Sequence, residues 1–211
     1  MLLAYCFLKL EKDIYDELWD NNIEIAQKTL KTQFLQHMQL GDLQADEYVK
    51  FMIQDIKYLV MVTEMLKEMY DKVKEPDLRE FMKDRYNKYS DIAEKTLKEF
   101  NLNSALNINL IDVMEKYLSK YKDIMDKEKP IFFAVALLPC TRLWLWVANQ
   151  LTESYCNAYF TWKKNNMYGN PEKYRKLLNE HLTKEEDKKK AKEIFQQQMQ
   201  YEYDFFASSL K

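Results

Sequence analysis

The sequence predicts an all-α fold in a single domain, and three observations carry that expectation. Only 2 glycines and 4 prolines occur among 211 residues, while Leu, Lys, Glu, Met and Gln are frequent, a composition that favours long helices with short connections. Apolar residues recur at helical spacing over most of the chain. The breakers Gly41, Pro76, Pro130, Gly169 and Pro171 all fall between those runs. A chain of this length buries about 70% of its unfolded surface, enough for a core without disulfide or metal staples. No repeat, linker or low-complexity segment divides it.

In chain order, Ile14, Leu18, Trp19, Ile23, Ala26, Leu30 and Phe34 predict a first helix over about residues 9 to 37, broken at Gly41. A second helix, about 45 to 74, stops before Pro76. Its polar face carries Lys50, Lys57, Glu64 and Lys67, which puts Asp55 about 200° from Lys57, on the buried side. A third, highly charged helix, about 77 to 100, reads as an outer one, followed by an NLNS loop. A fourth, about 107 to 126, carries Tyr117 and Tyr121. After Pro130 comes the most apolar run of the chain, IFFAVALLPCTRLWLWVANQL, from Ile131 to Leu151. NNMYGNPEK, after Trp162, reads as a turn, and a short helix covers about 171 to 181. Thr183 and Glu186 form a capping box for the last helix. There Ala191, Ile194, Phe195, Met199, Phe205, Phe206 and Leu210 make one apolar stripe that also contains Glu202.

Composition narrows the function. A net charge of −2 with both signs mixed and no basic stripe argues against nucleic acid as a partner. Three cysteines, Cys6, Cys140 and Cys156, lack framework spacing, so a reducing compartment is expected. The start, MLLAYCFLKLEKD, has no basic residue ahead of its apolar run and no small-residue cleavage pattern after it, which predicts a cytoplasmic protein. The run from Ile131 to Leu151 is long enough to span a bilayer, but Arg142 and Pro139 fall in its middle and no second span exists. It therefore reads as a buried central helix, with no membrane as partner.

The same run poses the chemical question. Pro139 sits inside a helix, at a cost of roughly 3 kcal/mol, and Cys140 follows it. Three polar groups thus stand on apolar faces of different helices: Asp55, Cys140 and Glu202, with Tyr58 one turn after the aspartate. Each has a plain explanation when taken alone. A cysteine packs as a small hydrophobe, and either carboxylate could pair with Arg142 or with a buried tyrosine. Together they suit a pocket for a flat, amine-bearing heteroaromatic ring. One carboxylate accepts from the exocyclic amine, aromatics stack on the ring faces, the thiolate attacks an electron-poor ring carbon and the second carboxylate shuttles protons.

At these residues the sequence resembles the TenA/THI-4 family. LGDLQADEYVKFMIQDIKYL is similar to that family's G-x-L and Q-D-x-x-Y-L pattern. VALLPC is similar to its cysteine signature, NAYFTW to its next aromatic motif and QYEYDFF to its C-terminal glutamate motif. The four lie in the family's order and at similar spacings across most of the chain. The resemblance implies a heme-oxygenase-like helical bundle, a homo-oligomer (tetramer or dimer), and a cofactor-free aminopyrimidine aminohydrolase or thiaminase II activity of the cysteine-type branch, on a small aminopyrimidine. It implies Cys140 as nucleophile, Glu202 as acid/base, Asp55 as the carboxylate that holds the pyrimidine amine, and Tyr58, Tyr117 and Phe205 as pocket aromatics. The chain departs from the pattern at Trp144 and Asn166, where the family has tyrosines, and at TQF, Thr32 to Phe34, where it has HPF. An indole donates a hydrogen bond but cannot accept one.

Two other classes compete. Haem- or metal-dependent oxygenase chemistry needs histidines, yet the chain has only His37 and His181 and no E-x-x-H pair, so no metal or cofactor is expected. A ligand-binding protein of the same fold without turnover would raise its melting temperature with a pyrimidine it does not consume. Arg142, two residues from Cys140 on a helix, points away from the thiol and is assigned no part in its activation.

Overall fold

Helix boundaries follow the side chains that compete for backbone hydrogen bonds. The computed structural model describes residues 13–210, which form ten helices and no strand. The expected first helix is three: α1 (Ile14–Asp20), α2 (Ile23–Leu30) and α3 (Gln33–Leu40), while residues 9–12 lie outside the described residues. Asp13 caps α1 by accepting from the Asp16 amide at 2.9 Å. At the first break the Asn22 side chain donates to the Leu18 carbonyl at 2.8 Å. At the second, the Thr32 hydroxyl donates to the Thr29 carbonyl at 2.8 Å. Short polar side chains that bond nearby carbonyls offer the chain an alternative to helix continuation, and the apolar periodicity runs across both breaks undisturbed. Gly41 ends α3 in the left-handed region (φ 80°), with its amide on the His37 and Met38 carbonyls.

Helices α4 (Ala45–Lys72) and α5 (Pro76–Glu99) form an antiparallel hairpin joined by three residues, the most extensive helix pair in the molecule. Pro76 stands in the first turn of α5, where its missing N–H costs nothing. Helix α6 (Asp112–Lys127) begins later than its periodicity predicts. The buried Gln54 amide explains this, donating to the Asn109 carbonyl at 2.9 Å and accepting from the Ile111 amide at 3.0 Å, which holds that stretch out of the helix.

Helix α7 (Pro130–Gln150) is the centre of the bundle, packed against α2, α5, α6, α8 (Phe160–Asn166), α9 (Glu172–His181) and α10 (Glu185–Ser208). Every residue from Ile131 to Pro139 is buried. Among the described residues it is the one helix long and apolar enough to cross a membrane, and 67% of its most apolar window is covered by the other helices. At about 1.5–3 kcal/mol for each large apolar side chain buried, this helix and α4 make the two largest contributions to the core. It continues through Pro139 without interruption. The Tyr121 hydroxyl donates to the Ala136 carbonyl at 3.0 Å, next to the carbonyl that Pro139 deprives of its donor.

Two further boundaries differ from the sequence reading. Helix α8 includes Asn165 and Asn166, so the turn starts only at Met167. The N-cap of α10 is Lys184, with no side-chain cap bond, so Thr183 lies one position too early to form the capping box.

Gly41→Ala should destabilise the protein by about 1–2 kcal/mol, read as a lower denaturant midpoint, because an L side chain at this φ is strained. The added Cβ would also meet the Asn157 side-chain nitrogen at 3.2 Å. That nitrogen donates to the Met38 and Gln39 carbonyls at 3.0 and 3.1 Å.

Candidate active site

Between the α4–α5 hairpin and the second half of α7 lies a cavity of about 250 Å³. Asp55 reaches it from α4, Tyr89 from α5, Cys140 and Trp144 from α7, and Trp162 from α8. After Cys140 the helix turns amphipathic, with Trp144 and Trp146 half-buried, so its apolar first half anchors the helix and its second half serves the cavity.

Glu202, on α10, stands directly behind this wall and is 1% exposed. Its Oε1 accepts from the Tyr117 hydroxyl at 2.5 Å and its Oε2 from the Trp144 indole N–H at 2.8 Å. The Cys140 thiol is near enough for the two groups to act on each other electrostatically. Burial pushes this carboxyl up to about 7, although Tyr117, Trp144 and Cys140 pull the other way. Burial, then the charge of Glu202, pushes the Cys140 thiol well above its ordinary value, against the hydroxyls of Tyr58 and Tyr89. Tyr89 donates to the sulfur at 3.8 Å. The resting thiol is therefore protonated and has a base with a near-neutral pKa nearby.

Asp55 is 8% exposed and has no side-chain hydrogen bond among the described residues. Burial, and then the charge of Glu202, pushes its carboxyl up to about 8. A buried carboxyl that faces a cavity without a partner is left to bond a ligand.

The remaining residues singled out in the sequence separate into two groups. Tyr58 and Tyr117 stand behind the cavity wall in a hydroxyl cluster, with Tyr58 3.0 Å and Tyr117 3.2 Å from the Tyr121 oxygen. Each phenol has one proton. Those of Tyr117 and Tyr121 go to Glu202 and to the Ala136 carbonyl, so that of Tyr58 is left for Tyr121 or the Cys140 sulfur. Phe205 does not line the cavity. It is 1% exposed and stacks on Phe51 at 4.5 Å, in the aromatic core on which Trp144 also rests. One turn on the Glu202 stripe brings it to the core side of that carboxylate.

Arg142 donates to the Tyr15 carbonyl at 2.7 Å and stacks on the Tyr15 and Trp19 rings, so it pairs with neither Asp55 nor Glu202. Asn166 and Tyr168 both border the cavity. Cys140 and Cys156 are free, and Cys6 lies outside the described residues. The sequence reading missed Tyr89. Its signal was the α5 stripe Leu78, Phe81, Met82, Arg85, Tyr89 and Ala93, which shows that this charged helix has a buried face.

No protein-family model matches the sequence, and no curated protein matches it. Solved structures do. A TenA homologue from Pyrococcus horikoshii OT3 aligns over 94% of this chain and 98% of its own, at 21% identity and a TM-score of 0.79. A TenA family transcription regulator from Silicibacter sp. TM1040 aligns over 94% and 96%, at 12% identity and a TM-score of 0.83. The chain has the TenA fold. A candidate TenA-like thiaminase from Sulfolobus solfataricus P2 shares it over 92% of this chain and 94% of its own, at 20% identity and a TM-score of 0.72.

Because Asp55 and Glu202 hold protons to higher pH in the folded chain than unfolded carboxyls do, the folded state binds more protons between about pH 4 and 8. Stability should fall as pH rises through that window. Asp55→Asn should flatten the decline and gain on the order of 1–3 kcal/mol at the alkaline end, read from urea midpoints between pH 5 and 9. Trp144→Phe strips Oε2 of its donor and should cost about 1–3 kcal/mol at pH 9, where Glu202 is ionised, and less at pH 5.

Proposed function

We propose that the protein is a member of the TenA family that hydrolyses an aminopyrimidine of the thiamin-salvage type, releasing ammonia from an aminomethyl group or thiazole from thiamin. The observation that carries this reading is the meeting of Cys140 and the unpartnered Asp55 on one cavity, with Glu202 behind its wall and near enough to the thiol to act on it electrostatically. The cavity volume supports a compact ligand. At about 250 Å³ it lies just below the roughly 300–1,000 Å³ of clefts for drug-sized molecules.

In the proposed reaction the ring amine bonds to Asp55, and the ring lies between Asp55 and Cys140. Glu202 takes the thiol proton as the sulfur adds to an electron-poor ring carbon. Tyr58 and Tyr89 turn their hydroxyls to the sulfur as its charge develops. From an aminomethyl group the amine departs with its bonding electrons and receives the proton from Glu202, whereas thiazole leaves thiamin as a neutral base and Glu202 passes that proton to solvent. Water then adds at the vacated carbon, giving one proton back to Glu202. The carbon–sulfur bond breaks and Glu202 reprotonates the thiol. The net change is one water consumed and either ammonia, or thiazole with one proton, released, by the chain's own groups and without a cofactor.

Trp144 fits the role because an indole can only donate. It pins Glu202 as an acceptor, and Tyr117 does so from the other side. The family reading also carries assembly as a homo-oligomer.

Purified protein should release ammonia from aminomethyl-aminopyrimidine or thiazole from thiamin, and the reading fails if product analysis finds neither. Cys140→Ser should lower kcat at least about 1,000-fold while the circular dichroism spectrum and ligand binding persist. Because Glu202 must be ionised to take the thiol proton, kcat/KM should rise with pH through about 7. Glu202→Gln should remove that limb of the profile.

A further inference from the structure

The wall that α5 contributes runs along the cavity from Arg85 through Tyr89 and Ile92 to Glu99, about 21 Å of helix at 1.5 Å per residue. Its two ends differ in charge. At the Glu99 end stand Tyr48 and Asp55, and the carboxylates of Asp55 and Glu99 both act on the Tyr48 hydroxyl. At the other end stand Arg85 and Lys88, with Cys140 close enough to Lys88 to act on its charge.

The cationic end is short of anions. Arg85 is 4% exposed, and its Nη2 donates to Asp84 at 2.6 Å, but its Nε is buried with no hydrogen-bond partner. Asp84 is shared with Lys173 at 3.2 Å. Lys88 pairs with no carboxylate among the described residues. Three cations thus surround one carboxylate, and two of them line the cavity. Lys88 lines the cavity one turn from Arg85 and is exposed to solvent, where an incoming anion can reach it. A buried donor without an acceptor, as at Arg85 Nε, is unfavourable unless a ligand supplies one.

We propose that the Arg85–Lys88 end of the cavity is a subsite for a phosphate monoester carried on the substrate's leaving group, across Cys140 from the amine held by Asp55. This inference rests on the reading of the site as an aminopyrimidine hydrolase. Guanidinium presents a fork of donors that matches phosphate oxygens, and an ammonium adds a compact charge beside it. A phosphomonoester carries about −1.5 to −2 at neutral pH, which suits two lining cations with Lys173 nearby better than the single charge of a carboxylate does. The substrate would then lie along the cavity as a dipole, with its cationic or amine-bearing end at Asp55 and its anionic end at Arg85 and Lys88.

The test is calorimetric binding of thiamin and of its phosphate monoester to Cys140→Ser protein, which separates binding from turnover. The monoester should bind at least tenfold more tightly, and the ratio of the two Kd values should fall to within twofold when Lys88→Gln or Arg85→Gln is added. Lys88 is exposed to solvent, so its replacement reports on a folded protein even if the buried Arg85→Gln change does not. Equal Kd values for the two compounds, or a ratio that survives Lys88→Gln, would overturn the subsite and leave the hydrolase reading standing. Failure to bind either compound would overturn the subsite and thiamin as a substrate, while release of ammonia from aminomethyl-aminopyrimidine would keep the hydrolase reading standing. Inorganic phosphate as a probe should compete with the monoester and be weakened by Lys88→Gln. Phosphate binding that Lys88→Gln does not weaken would place the anion elsewhere and overturn the proposal.

Discussion

The carboxylate of Glu202 is buried where α6, α7 and α10 meet, and the arrangement around it exists to make that burial tolerable. An ionised carboxylate out of water is costly unless donors surround it. Its donors come from separate helices, Tyr117 on α6 and Trp144 on α7. Satisfying one side chain therefore sets the rotation and height of α7 relative to α6 and α10. Because Trp144 stands one turn beyond Cys140, the indole that reaches Oε2 also sets the thiol against the same carboxylate. The stacked rings of Phe51, Phe205 and Phe206 lie beneath and hold the indole in place. Core packing and acid–base placement are here one constraint.

Helix α7 meets this constraint with a division along its length. Its first half is apolar on every face and buried, which secures the axis of the bundle. Its second half turns amphipathic at Cys140. Pro139 stands at the junction, where the hydroxyl of Tyr121 bonds a carbonyl of the preceding turn. The same tyrosine contacts the hydroxyls of Tyr58 and Tyr117, so the support of the proline turn and the cluster behind the thiol share a residue.

Asp55 is the counterpart of Glu202 and differs from it in one respect. Both are carboxyls on apolar helix faces and both are raised by burial, but Glu202 has donors from the protein and Asp55 has none among the described residues. In the proposed reaction the first exchanges a proton with the thiol and the second bonds the ligand, and a buried carboxyl without a partner is the kind of local cost that binding sites carry.

Much of this was legible in the sequence because it depends on which face of a helix is apolar. Periodicity alone put Asp55 on the buried side of α4 and Glu202 inside the stripe of α10. Composition alone marked the segment around Pro139 and Cys140 as central, and four motifs in order pointed to the fold that the solved structures share. Periodicity reports that a face is buried, not what it faces. Phe205 belongs to the stripe of Glu202, yet it packs into the aromatic core, away from the cavity. Tyr89 sits on a helix that reads as an outer one, and only the packing of α5 beside α7 brings its hydroxyl to the thiol. The breaks after α1 and α2 rest on the Asn22 and Thr32 side chains capturing nearby carbonyls, a competition that leaves no mark on the apolar pattern. The sequence by itself determined the helical class, the central helix and the three polar groups that do not belong in a core. The tertiary structure alone decided that these three converge, because convergence depends on how helices distant in sequence are rotated against one another, and that rotation is set by side-chain packing and by the hydrogen bonds a buried carboxylate requires.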